Sequence, residues 1–141
     1  MIHYLTLGDA ERPLTFAYSV AYEYELQTGK FYENDVHSLA RQIVLAGIDM
    51  GTDDTAVAAR GVSIVKFVDI LFACLLVGHR KTNTPVTFTR HDVADWLGGN
   101  LDAVSRFTTM LLEANFSLPG EKSDEQNGEM EGDTKKKSLA R

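Results

Sequence analysis

The chain has 141 residues, 44% of them hydrophobic, and a formal net charge of −6, which predicts one globular domain with a modest core rather than two. The acidic balance makes a phosphate backbone a poor main partner, because that interaction is built from clustered Lys and Arg; nucleic acid is therefore not expected. The one cysteine, Cys74, excludes an internal disulfide or a thiolate cluster, and within its apolar run it reads as a small buried hydrophobe.

In chain order, residues 2–7 and 12–16 read as short β runs around Gly8, Asp9, Ala10 and Glu11, a turn-like stretch that predicts a β-hairpin. Pro13 cannot donate a ladder hydrogen bond, so the second strand should lie at an edge or begin just after it. The period then changes. Phe16, Val20 and Tyr24 recur every four residues, predicting a helix over 17–28 that Gly29 stops. Asn34 is the predicted cap of a second helix, with Val36, Leu39, Ala40, Ile43 and Val44 as its apolar stripe and Gly47 as terminator. Residues 48–59 read mainly as connection, with 56–60 compatible with a short helical turn.

A central helix is predicted over 62–79, where Ile64, Phe67, Val68, Leu71, Phe72 and Leu75 mark a wide buried face. Lys66 and Asp69 interrupt the run and leave about nine uninterrupted apolar residues, against the roughly 20 needed to cross a bilayer. One turn apart, these two charges can pair or reach the rim. Thr82, Asn83, Thr84 and Pro85 break the pattern, and Thr89 stands three residues before Asp92 as in a capping box, opening a short helix through Leu97. Gly98 and Gly99 end it. Asn100 is the predicted cap of the last helix, whose stripe is Leu101, Val104, Phe107, Leu111 and Leu112. Beyond Pro119 the composition is too polar to offset the entropy of ordering. The expectation is an α+β, mostly helical fold: an N-terminal β-hairpin packed on a bundle of about five helices over 1–116, and a disordered charged tail over 117–141.

Catalytic candidates each have a simpler structural role. His91 and Asp92 are adjacent, so on a helix they point in different directions, and Asp92 is already explained by capping. Asp49, Asp53 and Asp54 lack the alternating oxygen ligands and distal Glu of an EF-hand, so an acidic loop is expected. His3, His37 and His79 fall in separate elements without metal-type spacing, and the glycines form neither a P-loop nor a dinucleotide fingerprint. No catalytic residue, metal site or cofactor is therefore assigned. The two helices joined at Gly98, Gly99 and Asn100 invite comparison with a helix-turn-helix reader, but the second offers only Arg106 against Asp102 and Glu113.

Interaction with another protein is the expected mode of action. Tyr18, Tyr22, Tyr24, Phe31 and Tyr32 concentrate aromatic residues around the first helix and the turn after it, and aromatics commonly anchor interfaces. Tyr24 belongs with the core by its register with Val20. Tyr18 and Tyr22, one turn apart on another face, are the partner-binding candidates; the competing reading packs their rings under the hairpin and exposes only the hydroxyls.

Several of these stretches occur in a characteristic order: Tyr4-Leu5-Thr6-Leu7-Gly8, then Arg12-Pro13-Leu14-Thr15-Phe16, then Tyr22-Glu23-Tyr24-Glu25-Leu26-Gln27-Thr28-Gly29-Lys30, and later Thr89-Arg90-His91-Asp92-Val93-Ala94-Asp95-Trp96-Leu97. This order resembles the small tail assembly chaperones of long-tailed bacteriophages and prophages, over roughly residues 1–116. Those proteins similarly open with a hairpin carrying a Gly turn and an R-P-x-x-F-like strand, continue through amphipathic helices, and contain a short capped helix ending in Trp-Leu. The resemblance implies a non-enzymatic role, holding the tape measure protein while tail tube protein subunits polymerise around it. It implies release before the virion matures, residence in the bacterial host cytoplasm, and self-association as a homo-oligomer along the tape measure. The residues at the start of the chain agree with the cytoplasm, since Met1, Ile2, His3 and Tyr4 carry no basic region leading into an apolar run.

The resemblance also implies a longer frameshifted form of the same protein as a partner, made by ribosomal slippage near the end of the first frame. Lys135, Lys136 and Lys137 could be encoded by such a slippery adenine-rich run; a solubilising basic tail is the equal alternative. Two other functional readings stay open, a small helix-turn-helix-like DNA-binding regulator and a structural head or tail component.

Overall fold

The computed structural model describes residues 1–46 and 62–116. The expected acidic loop at Asp49, Asp53 and Asp54, the terminator Gly47 and the tail with Lys135, Lys136 and Lys137 lie outside the described residues. The chain divides into two units, 1–111 and 112–141.

The first unit opens with a hairpin of β1 (His3–Leu7) and β2 (Ala10–Leu14). The turn is two residues long, Gly8 and Asp9, both at positive φ (58° and 66°). That is the type I′ geometry whose twist matches the flanking strands. Ala10 and Glu11, expected in the turn, are therefore paired with Leu7 and Thr6. Pro13 lies inside β2 opposite Tyr4, the edge placement that a residue without an amide hydrogen tolerates. Leu5 and Leu7 point into the protein and are buried, while Tyr4 and Thr6 alternate outward.

Helix α1 (Tyr18–Thr28) ends at Gly29, whose φ of 72° lets its N–H donate to Glu25 O at 2.8 Å. Helix α2 spans Tyr32–Ala46. It begins two residues before Asn34, so Asn34 is not its cap; the corner is instead held by Tyr32 N–H donating to Glu25 Oε2 at 3.0 Å. Val36, Leu39, Ala40 and Ile43 are buried as expected, but Val44 is exposed. The Tyr24 hydroxyl donates to the Asp35 carboxylate and joins α1 to α2.

Helix α3 (Ile64–Lys81) is the core element, capped by Ser63, whose hydroxyl accepts from Lys66 N–H at 3.2 Å. It packs against α1, α2, β2 and the next helix, α4 (Arg90–Leu97). Phe67, Val68, Leu71, Phe72 and Leu75 are buried, but Ile64 is exposed and faces the open groove beside the start of α4. Lys66 and Asp69 take separate partners: Lys66 Nζ donates to Ser38 Oγ at 3.0 Å, and Asp69 pairs with Arg90 at 3.2 Å. Cys74 is buried, as expected.

Strand β2 lies almost directly on α3. A Cβ added to Gly78 would overlap Leu14 Cα and sit 2.5 Å from Pro13 O, and Thr15 N–H donates to Cys74 O at 3.3 Å. Gly78 is thus a point of backbone contact between strand and helix. Thr89 and Asp92 form the expected capping box at the start of α4, and Asn100 Oδ1 accepts from Ala103 N–H at 3.1 Å at the start of α5 (Leu101–Asn115). On α5 the buried side is Ala103, Phe107, Thr108 and Leu111. Leu101 and Val104, expected on that side, are respectively exposed and half-buried. The buried side is centred on Phe107, which packs edge-on to Phe67 (5.5 Å) and stacks on Phe16 (5.9 Å).

The described part of the second unit is the last turn of α5 with Phe116, whose N–H donates to Leu112 O at 2.9 Å. No helix among the described residues is long and apolar enough to cross a membrane.

Candidate interaction surface

Helix α1 carries apolar side chains on two opposite sides, and the fold covers only one. Val20 and Tyr24 continue the line from Phe16 and are buried. At about 100° per residue, Tyr18, Tyr22 and Leu26 fall on a second line roughly opposite. Their exposures are 92%, 67% and 66%. The expectation that Tyr18 and Tyr22 pack under the hairpin is therefore overturned. The core side of α1 is occupied by the Phe16–Val20–Tyr24 line, and the opposite side faces solvent.

Large exposed apolar side chains in one line are unusual on a free surface, where such residues are normally scattered. The helix that carries the stripe is also tied to its neighbours. Glu23 on α1 pairs with Arg80 of α3 at 3.7 Å, the Tyr24 hydroxyl ties α1 to Asp35, and Thr28 Oγ1 donates to Tyr24 O at 2.8 Å. Phe31, at the corner after α1, is exposed too, whereas Tyr32 is buried edge-on to Tyr24. Of the five aromatics expected near an interface, two belong to the core and three face solvent. Leu26 escaped the sequence reading, although its spacing of four from Tyr22 was visible.

A concave feature lies between the starts of α3 and α4. It is an open groove of about 490 Å³ with Ile64, Val65, Val68 and Ala94 as apolar lining and Asp69, Arg90 and His91 as polar lining. Asp92 stays with its cap: its carboxylate accepts from Thr89 N–H at 2.9 Å. The other histidines are spread through the fold. His3 meets the edge of Phe16, His37 Nε2 sits 3.0 Å from Glu33, and the buried His79 has Nδ1 2.8 Å from Leu75 O. No group of three metal-ligating side chains converges among the described residues.

The residues that carry the family-like motifs have a visible structural role. The Arg12 guanidinium lies 4.1 Å over the Trp96 ring and 5.1 Å over Phe88, and its Nε donates to Leu7 O at 2.9 Å. Gly8 brings the hairpin turn so close to this indole that an added Cβ would stand 2.5 Å from it. Gly8, Arg12 and Trp96 therefore clamp the hairpin onto α4 by close packing and a cation–π contact. Nothing in their sequence spacing reveals that they meet. No family model matches the chain, and no curated protein or solved structure is detectably similar to it.

Proposed function

We propose that this chain acts by binding another protein through the Tyr18–Tyr22–Leu26 side of α1, without catalysis. The observation that carries the reading is the exposure of those three side chains in one line on a helix whose other side is anchored in the core. Tyrosines suit the task, because they bury large area on binding while few rotatable bonds are frozen. A partner helix offering its own apolar stripe is the natural complement.

The order of motifs from Tyr4 to Leu97 favours a tail assembly chaperone as the setting, with the tape measure protein as the client and tail tube protein as the subunit recruited. A long helical client exposes apolar surface until the tube encloses it, and a rigid, acidic, reversible binder would keep it in solution. On this reading the protein works in the host cytoplasm and leaves before the virion is complete.

The test is to look beside this gene for a long coiled-coil reading frame and to co-express its product with this chain. The native chain should raise that protein's solubility and copurify with it, and the double variant Tyr18→Ala, Tyr22→Ala should do neither while melting as the native chain does. If the native chain fails on both counts and is retained on DNA in a salt-sensitive way, the regulator reading replaces this one. Recovery of the chain from purified virions would instead make it a structural component.

A further inference from the structure

The two edges of the hairpin are treated very differently. Leu7 and Ala10 flank the turn and form a hydrogen-bonded pair, so the pairs alternate outward from there: Leu5 with Arg12 and His3 with Leu14 are bonded, while Thr6 with Glu11 and Tyr4 with Pro13 are not. Residues of the unbonded pairs direct their N–H and C=O away from the hairpin. At the end of β2 this outward side lies against α3: Pro13 O stands against Gly78, and the next residue of the same parity, Thr15, just beyond the strand, donates to Cys74 O. On β1 the outward groups belong to Tyr4 and Thr6. Among the described residues, no hydrogen bond beyond the hairpin reaches them, and both residues are exposed.

Open edges are usually blunted by a charge, a proline or a bulge. Strand β2 carries Glu11, Arg12 and Pro13. Strand β1 reads His-Tyr-Leu-Thr-Leu, with no Lys, Arg, Asp, Glu, Pro or Gly, and pairs without a bulge.

We infer that β1 pairs with β1 of a second copy of this chain, joining two hairpins into a continuous four-stranded antiparallel sheet. The sequence is self-complementary for this register. A two-fold axis through Leu5 sets Tyr4 of one copy opposite Thr6 of the other, and both residues have outward amides and carbonyls, so each such pair exchanges both of its hydrogen bonds. On the solvent face the tyrosine ring lies beside the β-branched threonine, a favourable cross-strand pair. No charge is placed opposite a like charge. A strand from an unrelated protein would need no such symmetry. This inference is independent of the α1 reading, because β1 contributes no residue to that stripe.

The experiment measures mass by sedimentation and amide exchange at increasing concentrations of the full chain. The native protein should form a dimer in which the Tyr4 and Thr6 amides become protected as the dimer fills. Thr6→Pro removes an outward donor from each copy and leaves the bonds inside the hairpin intact; it should weaken dimerisation about tenfold or more. Thr6→Glu, which keeps the amide but adds to the negative charge of Glu11 near the axis in both copies, should weaken it too, and added salt should partly restore it. Circular dichroism confirms that each variant is folded. A native chain that stays monomeric overturns the inference. So does a dimer that leaves both amides exchanging freely, or one that a folded Thr6→Pro variant forms undiminished.

Discussion

Helices α1 and α3 are neighbours that each carry apolar side chains on more than one side, yet α3 is almost wholly enclosed and α1, the less apolar of the two, is half covered. Strand β2 and helices α1, α2, α4 and α5 all pack against α3, and from Phe67 to His79 only Asp69 and Leu76 are not buried. On α1 only Val20 and Tyr24 are buried, and Tyr18, Tyr22 and Leu26 stand in solvent. Apolar composition states what gains by leaving water; the arrangement of neighbours decides what is left over. The uncovered remainder is where a partner can still gain by binding.

The comparison can be broken most forcefully at α3. Leu71 is fully buried, so Leu71→Ala should cost about 2–5 kcal/mol in a urea titration through lost transfer energy and the cavity left behind. An unchanged midpoint would show that α3 is not the core. Gly78→Ala should come next, losing about 1–3 kcal/mol by overpacking, even though alanine is the better helix former by about 1 kcal/mol. The reason is that backbone atoms of Leu14 and Pro13 stand where the methyl would go. A gain in stability would mean that β2 does not rest on α3.

A smaller effect probes how α1 is anchored. Tyr24→Phe should cost about 1 kcal/mol near neutral pH by removing the hydrogen bond to Asp35. Burial, reinforced by the bond to Asp35 and its charge, pushes the Tyr24 hydroxyl above its usual ionisation range. Its pKa is thus higher folded than unfolded, so the folded chain holds this proton more tightly. Stability is then fully present below about pH 10, where the unfolded phenol begins to ionise, and falls as pH rises further. Thermal melts at alkaline pH should show a shallower decline for Tyr24→Phe than for the native chain. Burial pushes the Cys74 thiol up in the same way, so Cys74→Ala should flatten a decline that starts nearer pH 8.5. The smallest effect is expected on the open side of α1: Tyr18→Ala with Tyr22→Ala should change stability by no more than about 0.5 kcal/mol. A large loss there would mean that the stripe belongs to the fold and not to a partner.

Much of the fold was legible from local chemistry. The turn glycine, the left-handed Gly29, the Thr89–Asp92 box and the Asn100 cap all act within a few residues, where sequence spacing and geometry coincide. The misplacements lie where local rules are silent. Val44 and Ile64 have the right period to be buried and are exposed, because periodicity identifies a face but not how far along the helix the neighbours extend. The candidate surface was half legible: Tyr18 and Tyr22 were identifiable as aromatics off the core line, whereas the side they face was not.

By itself, then, the sequence determined, among the described residues, a hairpin followed by five helices, with a core line through Val20, Tyr24 and α3, since these follow from periodicity, capping and turn chemistry. Only the tertiary structure decided which apolar side chains stay in water. It also brought together Gly8, Arg12 and Trp96 from distant parts of the chain, and it turned one hairpin edge toward α3 and the other outward. Those outcomes depend on distances between segments far apart in sequence, which no local pattern encodes.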